Sequence, residues 1–240
     1  MARRPGGRAP DEAREVRIQR GFTRSAPGSV LIEAGRTQIL CTASWTETVP
    51  AWLSGVGHGW LTAEYSMLPA STHNRKVREG RNGRVDGRSM EIQRLIGRAL
   101  RAAVDVKRLP EISIWVDCDV LSADGGTRTL AITGAYVALE DLVGRLLDRG
   151  RLQRSPIQAA VCATSVGLVG GEPLLDLCFE EDHAAMVDMN VVYTSAGEFA
   201  EVQATGEKGT LARRDLDALL DLAEQGCKGL LEVQQQALRA

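Results

Sequence analysis

The order in which two hydrophobic periodicities alternate along the chain constrains its fold more than any other feature. Apolar residues recur at every second position where a strand buries one face, and at every third and fourth where a helix does. Residues 28–44 hold two strand-like runs flanking Ala34-Gly35-Arg36, which predicts a hairpin, and residues 60–68 predict a further strand. Residues 69–87 have no apolar period and predict a loop. Ser89 then opens a predicted helix with Ile92, Leu95, Ile96, Ala99, Leu100, Ala103 and Val104 on one face, running toward a stop at Pro110. Residues 112–121 alternate as a half-buried strand does, and 130–147 return to helical spacing. Strand-like runs at 157–169, 174–179, 188–194 and 198–204 predict a meander, and an amphipathic helix over 213–238 closes the chain. Strands, helices, strands and a helix predict an α+β fold with some internal duplication of topology. With no linker, repeat or low-complexity tract, residues 1–240 read as a single domain.

The chain is 44% hydrophobic and 25% charged, which suits a soluble globular protein and excludes a disordered or fibrous one. No apolar run approaches the ~20 residues of a membrane helix, and the first residues lack the apolar stretch of a signal peptide, so no membrane association and a cytoplasmic location are expected. Cys41, Cys118, Cys162, Cys178 and Cys227 are odd in number, lack C-x-x-C spacing and mostly sit in apolar runs. They read as reduced core residues, with neither disulfides nor zinc.

The net charge of −2 hides an asymmetry: residues 1–110 hold 19 basic and 10 acidic side chains, residues 111–240 hold 10 and 21. Arginine supplies 25 of the 29 basic residues, and its planar fork suits phosphate. Three clusters follow. Between 75 and 101 stand nine basic and three acidic residues, among them Arg75, Arg78, Arg81 and Arg88, with Gly80, Gly83 and Gly87 interspersed. This run is either a solvated loop or an anion site, and Arg88 directly before a helix N-terminus favours the latter. Asp124-Gly125-Gly126-Thr127-Arg128-Thr129, between a strand and a helix, is either a capped turn or a second anion site built from backbone N–H groups, hydroxyls and a guanidinium; it is not a P-loop. Residues 172–188 hold Glu172, Asp176, Glu180, Glu181, Asp182 and Asp188 and no lysine or arginine. They form either an acidic turn or, through Asp182 and Asp188 across a short connection, a divalent-cation site with oxygen ligands.

No G-x-S-x-G elbow exists, and His58, His73 and His183 are scattered. A side-chain nucleophile is not expected. Were inorganic phosphate the nucleophile, already anionic at neutral pH, no strong general base would be needed.

The segments Gly-Arg-Ser-Met-Glu-Ile-Gln-Arg-Leu-Ile-Gly-Arg (87–98), Asp-Cys-Asp-Val-Leu-Ser-Ala-Asp-Gly-Gly-Thr-Arg-Thr (117–129), Gly-Trp-Leu-Thr-Ala-Glu-Tyr-Ser-Met-Leu-Pro (59–69) and Glu-Asp-His-Ala-Ala-Met-Val-Asp-Met-Asn-Val-Val (181–192) resemble the ribonuclease PH family, over nearly the whole chain. The resemblance implies a β-α-β-α fold of mixed sheets and packed helices, shared with polynucleotide phosphorylase and exosome ring subunits. It implies a phosphate-dependent 3′-to-5′ exoribonuclease that trims tRNA precursors beyond CCA, releases nucleoside diphosphates and assembles as a homohexamer, a trimer of dimers. By the same resemblance Arg88, Gly126, Thr127 and Arg128 hold inorganic phosphate, and Asp182 and Asp188 are the catalytic, metal-associated carboxylates; their oxygens suit magnesium or manganese, with Mg2+ the expected ion. The basic cluster itself, with Arg75, Arg78 and Arg81, is expected to meet RNA phosphates beyond the reacting end. His183 stands where serine is frequent in the family, Gly6-Gly7 where Asp-Gly is common, and Ala204 where glycine is usual. Two other functions compete: a catalytically silent ring subunit that only threads RNA, and a hydrolytic two-metal nuclease.

Overall fold

The computed structural model describes residues 4–79 and 85–240; Gly80, Arg81 and Gly83 of the predicted loop lie outside the described residues. The first half builds a sheet from β1 (Val16–Arg20), β2 (Gly28–Ala34), β3 (Thr37–Thr46), β4 (Trp60–Met67) and β5 (Ser113–Ser122), in the order β1-β2-β3-β5-β4. The predicted hairpin is β2–β3, with Gly35 in its turn. β4 and β5 run parallel, so the chain must cross over between them, and helix α1 (Gly87–Ala103) makes that crossover. Inward positions of β3 and β5 (Ile39, Cys41, Ala43, Ile114, Val116, Cys118 and Val120) are buried beneath the helices, as period two requires.

Helix α2 (Thr127–Asp148) follows β5 and is the centre of the molecule, buried along most of its length. It touches β2 and β3 on one side and β6 (Val161–Val169) of the second sheet on the other. Packing is close: a Cβ on Gly134 would fall 2.6 Å from Ile32 Cγ2, and one on Gly28 would fall 1.9 Å from the Ala138 carbonyl oxygen. Helix α4 (Arg213–Arg239) covers the second sheet with Leu219, Ala223 and Cys227. β6 therefore lies between α2 and α4, which explains its almost uninterrupted burial and its lack of alternation.

Four features depart from the sequence reading. Strand β1 was not predicted, because Val16 and Ile18 are its only apolar residues and it forms a half-solvated edge. Helix α1 starts at Gly87 rather than Ser89, which places Arg88 inside its first turn, and it ends at Ala103. It ends there because Val104 turns extended and bridges Ile157. The second sheet has the order β7-β6-β8-β9, with β7 (Glu172–Leu175), β8 (Val187–Thr194) and β9 (Phe199–Thr205), so β8 returns beside β6 and β7 is an edge; this is not a simple meander. Finally, β7 stops at Leu175, and residues predicted as strand become a bend at Asp176 (φ 52°) and a short helix α3 (Phe179–Ala184).

That bend is held by pairing across the fold. The Arg14 guanidinium donates to Asp176 Oδ1 at 2.7 Å, and Arg4 donates to Glu181 Oε1 at 2.7 Å, both pairs largely buried. These arginines hold the Asp176 and Glu181 carboxyls below the ordinary range, against the burial that alone would raise them. All five cysteines are buried free thiols.

Candidate active site

Four separate elements deliver side chains to one cleft of about 640 Å³: Arg88 from α1, Gly126, Thr127 and Arg128 from the start of α2, Asp182 from α3 and Asp188 from β8. The structure thus brings together the six residues that the sequence divides among three clusters. Arg75 and Arg78 are exposed on the loop before α1 and do not line this cleft, whereas Lys76 between them does. Arg81 lies outside the described residues.

The turn that opens α2 is fixed from below. Gly125 and Gly126 take φ of 80° and 65°, left-handed values that other residues rarely adopt, and a Cβ on Gly125 would come within 2.5 Å of the Leu177 carbonyl oxygen. Arg14 donates to the Asp124 carbonyl at 2.7 Å, and the Thr37 hydroxyl donates to the Gly125 carbonyl at 2.9 Å. These carbonyls are thus tied back into the protein. The unpaired N–H groups of the first turn of this helix of 22 residues begin at the cleft.

The charged side chains are positioned in turn. The buried Tyr65 hydroxyl donates to Thr127 Oγ1 at 2.9 Å and orients it. Arg128, mostly buried, pairs with Glu91 of α1 at 3.3 Å, a contact that steadies the guanidinium at the cleft wall. Burial raises the Asp182 carboxyl above its ordinary range, and the positive charges of Arg88 and Arg128 offset that rise only in part. Asp188 is raised to about 6, first by burial and then by the negative charge of Asp182; Arg128 and the Asn190 amide, which donates to its Oδ2 at 3.2 Å, oppose this. Two carboxylates, one of which raises the proton affinity of the other, beside two arginines form an arrangement suited to a cation and a polyanion together.

The raised Asp188 has consequences for stability. Its pKa in the folded chain exceeds the ~3.9 of an unfolded aspartate, so the folded state holds the proton more tightly. The carboxylate therefore weakens the fold above pH ~6, and that cost fades as pH falls toward ~4. In metal-free protein Asp188→Asn is expected to raise the unfolding free energy at neutral pH by up to about 3 kcal/mol and to change little near pH ~4. Denaturant unfolding at the two pH values checks this, and a gain of equal size at both would contradict it.

Sequence reasoning missed Met67, Phe179, Asn190 and Lys208 in the lining of the cleft; Lys76 of the basic run and His183 beside Asp182, which it did name, line it too. Asn190 had a signal, since it stands two residues from Asp188 on a strand and so shares its face. Phe179 and His183 also had one, at i and i+4, but only if the segment was read as a helix.

Two family models match the chain in succession, the 3′ exoribonuclease family, domain 1, over residues 12–143 and the same family, domain 2, over residues 159–226. The chain belongs to the 3′ exoribonuclease family. Within it, the sequence is 58% identical over 239 residues to the "Ribonuclease PH" of Nocardia farcinica, covering 99% of this chain and 93% of that one. It is 55% identical to the "Ribonuclease PH" of Corynebacterium efficiens over 98% of this chain and 96% of that one. The resemblance seen in the motifs therefore holds over the full length, and the chain is a phosphate-dependent 3′-to-5′ exoribonuclease, an enzyme of the nucleotidyltransferase type. The fold superposes on rice Rrp46 with a TM-score of 0.79 at 16% identity, over 97% of this chain and 99% of that one. It also superposes on a chain of the Archaeoglobus fulgidus exosome with RNA bound to the active site, with a TM-score of 0.80 at 22% identity, over 96% and 92%. At these identities the likeness concerns the fold, which is α+β as expected.

Proposed function

We propose that this cleft holds inorganic phosphate against the 3′ end of an RNA, and that the chain trims tRNA precursors beyond CCA. The observation that supports the reading is the convergence of Arg88, Thr127, Arg128, Asp182 and Asp188 on one cleft from four elements. Arg88, Arg128, the Thr127 hydroxyl and the backbone of Gly126 and its neighbours bind the attacking phosphate and the scissile phosphoryl group. A phosphate oxygen forms the new bond to the scissile phosphorus, the bond to the 3′ oxygen of the preceding ribose breaks, and the terminal nucleotide leaves as a diphosphate. The proton lost by hydrogen phosphate balances the one gained by the 3′ oxygen. No side chain need act as a strong base, so positioning and charge neutralisation carry the catalysis.

Asp182 and Asp188 would hold magnesium. The donor set fits: two hard-oxygen carboxylates on facing elements leave room for waters and substrate phosphates, the way this ion is usually bound. When bound, magnesium would neutralise charge on the phosphoryl oxygens. Arg75 and Arg78, on the loop before α1, and Arg81, further along the same basic run of sequence, contact RNA phosphates beyond the reacting end. Residues 1–240 act as one domain within a cytoplasmic homohexamer, a trimer of dimers, as the resemblance implies; no helix among the described residues is long and apolar enough to cross a membrane. RNA trimming assayed with and without inorganic phosphate tests the reading. Trimming is expected to stop without phosphate and resume on its addition; undiminished trimming in its absence would contradict it.

A further inference from the structure

Most side chains lining the cleft are charged or polar, but Phe179 brings a phenyl ring to it. Phe179 lies on its rim with 62% of its surface exposed, at the first position of α3. His183, four residues on and also lining the cleft, lies beside it with ring centroids 6.2 Å apart and planes inclined by only 15°. Asp182 lies between them in sequence, and the His183 carbonyl accepts a hydrogen bond from Lys208 Nζ, which ties the end of α3 to the cleft wall. A near-parallel ring pair thus borders the carboxylates and arginines of the site.

A nucleotide carries two chemistries, an anionic phosphate and an apolar π-face. The charged wall accounts for the first only. From the geometry, and resting on the functional reading above, we infer that Phe179 is the stacking platform for the base of the 3′-terminal nucleotide, and that His183 backs its ring and fixes its tilt. Phe179 is a substrate-binding residue and His183 a positioning one. Stacking on a phenyl face reads no base edge, so this platform accepts all four bases and grips purines more firmly because their faces are larger. It gives an enzyme that must remove any terminal nucleotide a hold on the base without a sequence preference.

The test uses the released product, a nucleoside diphosphate, which occupies the same position as the terminal nucleotide. Binding of ADP and UDP to the full chain is measured by equilibrium dialysis, together with the phosphate half-saturation of RNA trimming. Phe179→Ala is expected to weaken ADP binding about 5- to 150-fold, and UDP binding less, while phosphate half-saturation stays close to that of the parent. Phe179→Trp is expected to restore ADP binding, because it restores a ring face. Unchanged ADP binding in Phe179→Ala, or a loss matched by an equal rise in phosphate half-saturation, would overturn the platform. Failure of the unmodified chain to bind any nucleoside diphosphate would instead overturn the functional reading together with it.

Discussion

Asp182→Asn and Asp188→Asn are each expected to lower turnover by about a hundredfold or more, roughly 3 kcal/mol of barrier, while the fold and RNA binding persist. Asparagine keeps the shape of the side chain and removes the charge. At Asp188 the lost charge is the one that burial and Asp182 already make costly, so its removal leaves the folded protein at least as stable. Removing either carboxylate also relieves repulsion toward RNA, so affinity should hold or rise as turnover falls. Single-turnover trimming at saturating magnesium, read beside RNA binding, measures both. Near-normal turnover in both variants would reduce residues 172–188 to an acidic turn.

Arg88→Ala and Arg128→Ala are expected to raise the phosphate requirement about 10- to 150-fold each, since each loses a charge-assisted contact worth roughly 1.5–3 kcal/mol. Arg128→Ala should be the more severe. Its guanidinium pairs with Glu91, so its removal deprives the anion of one positive charge and leaves a carboxylate unpaired nearby. Glu91→Gln in the Arg128→Ala background is expected to recover part of the loss. The dependence of rate on phosphate at fixed RNA checks this, and an equal fall in RNA affinity would show that these arginines grip the RNA backbone instead.

Sequence periodicity revealed the elements whose signals are local. The apolar face of α1, the β2–β3 hairpin and the Gly-Gly-Thr-Arg turn each lie within a short window, and each was legible. What failed to show was long-range. The bend at Asp176 and the helix α3 depend on Arg4, Arg8 and Arg14, more than 160 residues away, whose guanidiniums pair with Asp176 and Glu181. No local pattern records such pairs, so the acidic run looked like the end of a strand. The same blindness hid Phe179, which lines the cleft from the first position of that helix. The six core site residues were named from local chemistry and resemblance; that they share one cleft could be read only from the fold.

The central claim is that phosphate, rather than water, takes the terminal nucleotide. Trimming RNA in phosphate labelled with heavy oxygen, followed by mass analysis of the mononucleotide products, tests it most directly. The account predicts nucleoside diphosphates whose β-phosphoryl group carries the label. Unlabelled nucleoside monophosphates, formed at the same rate with or without phosphate, would contradict it.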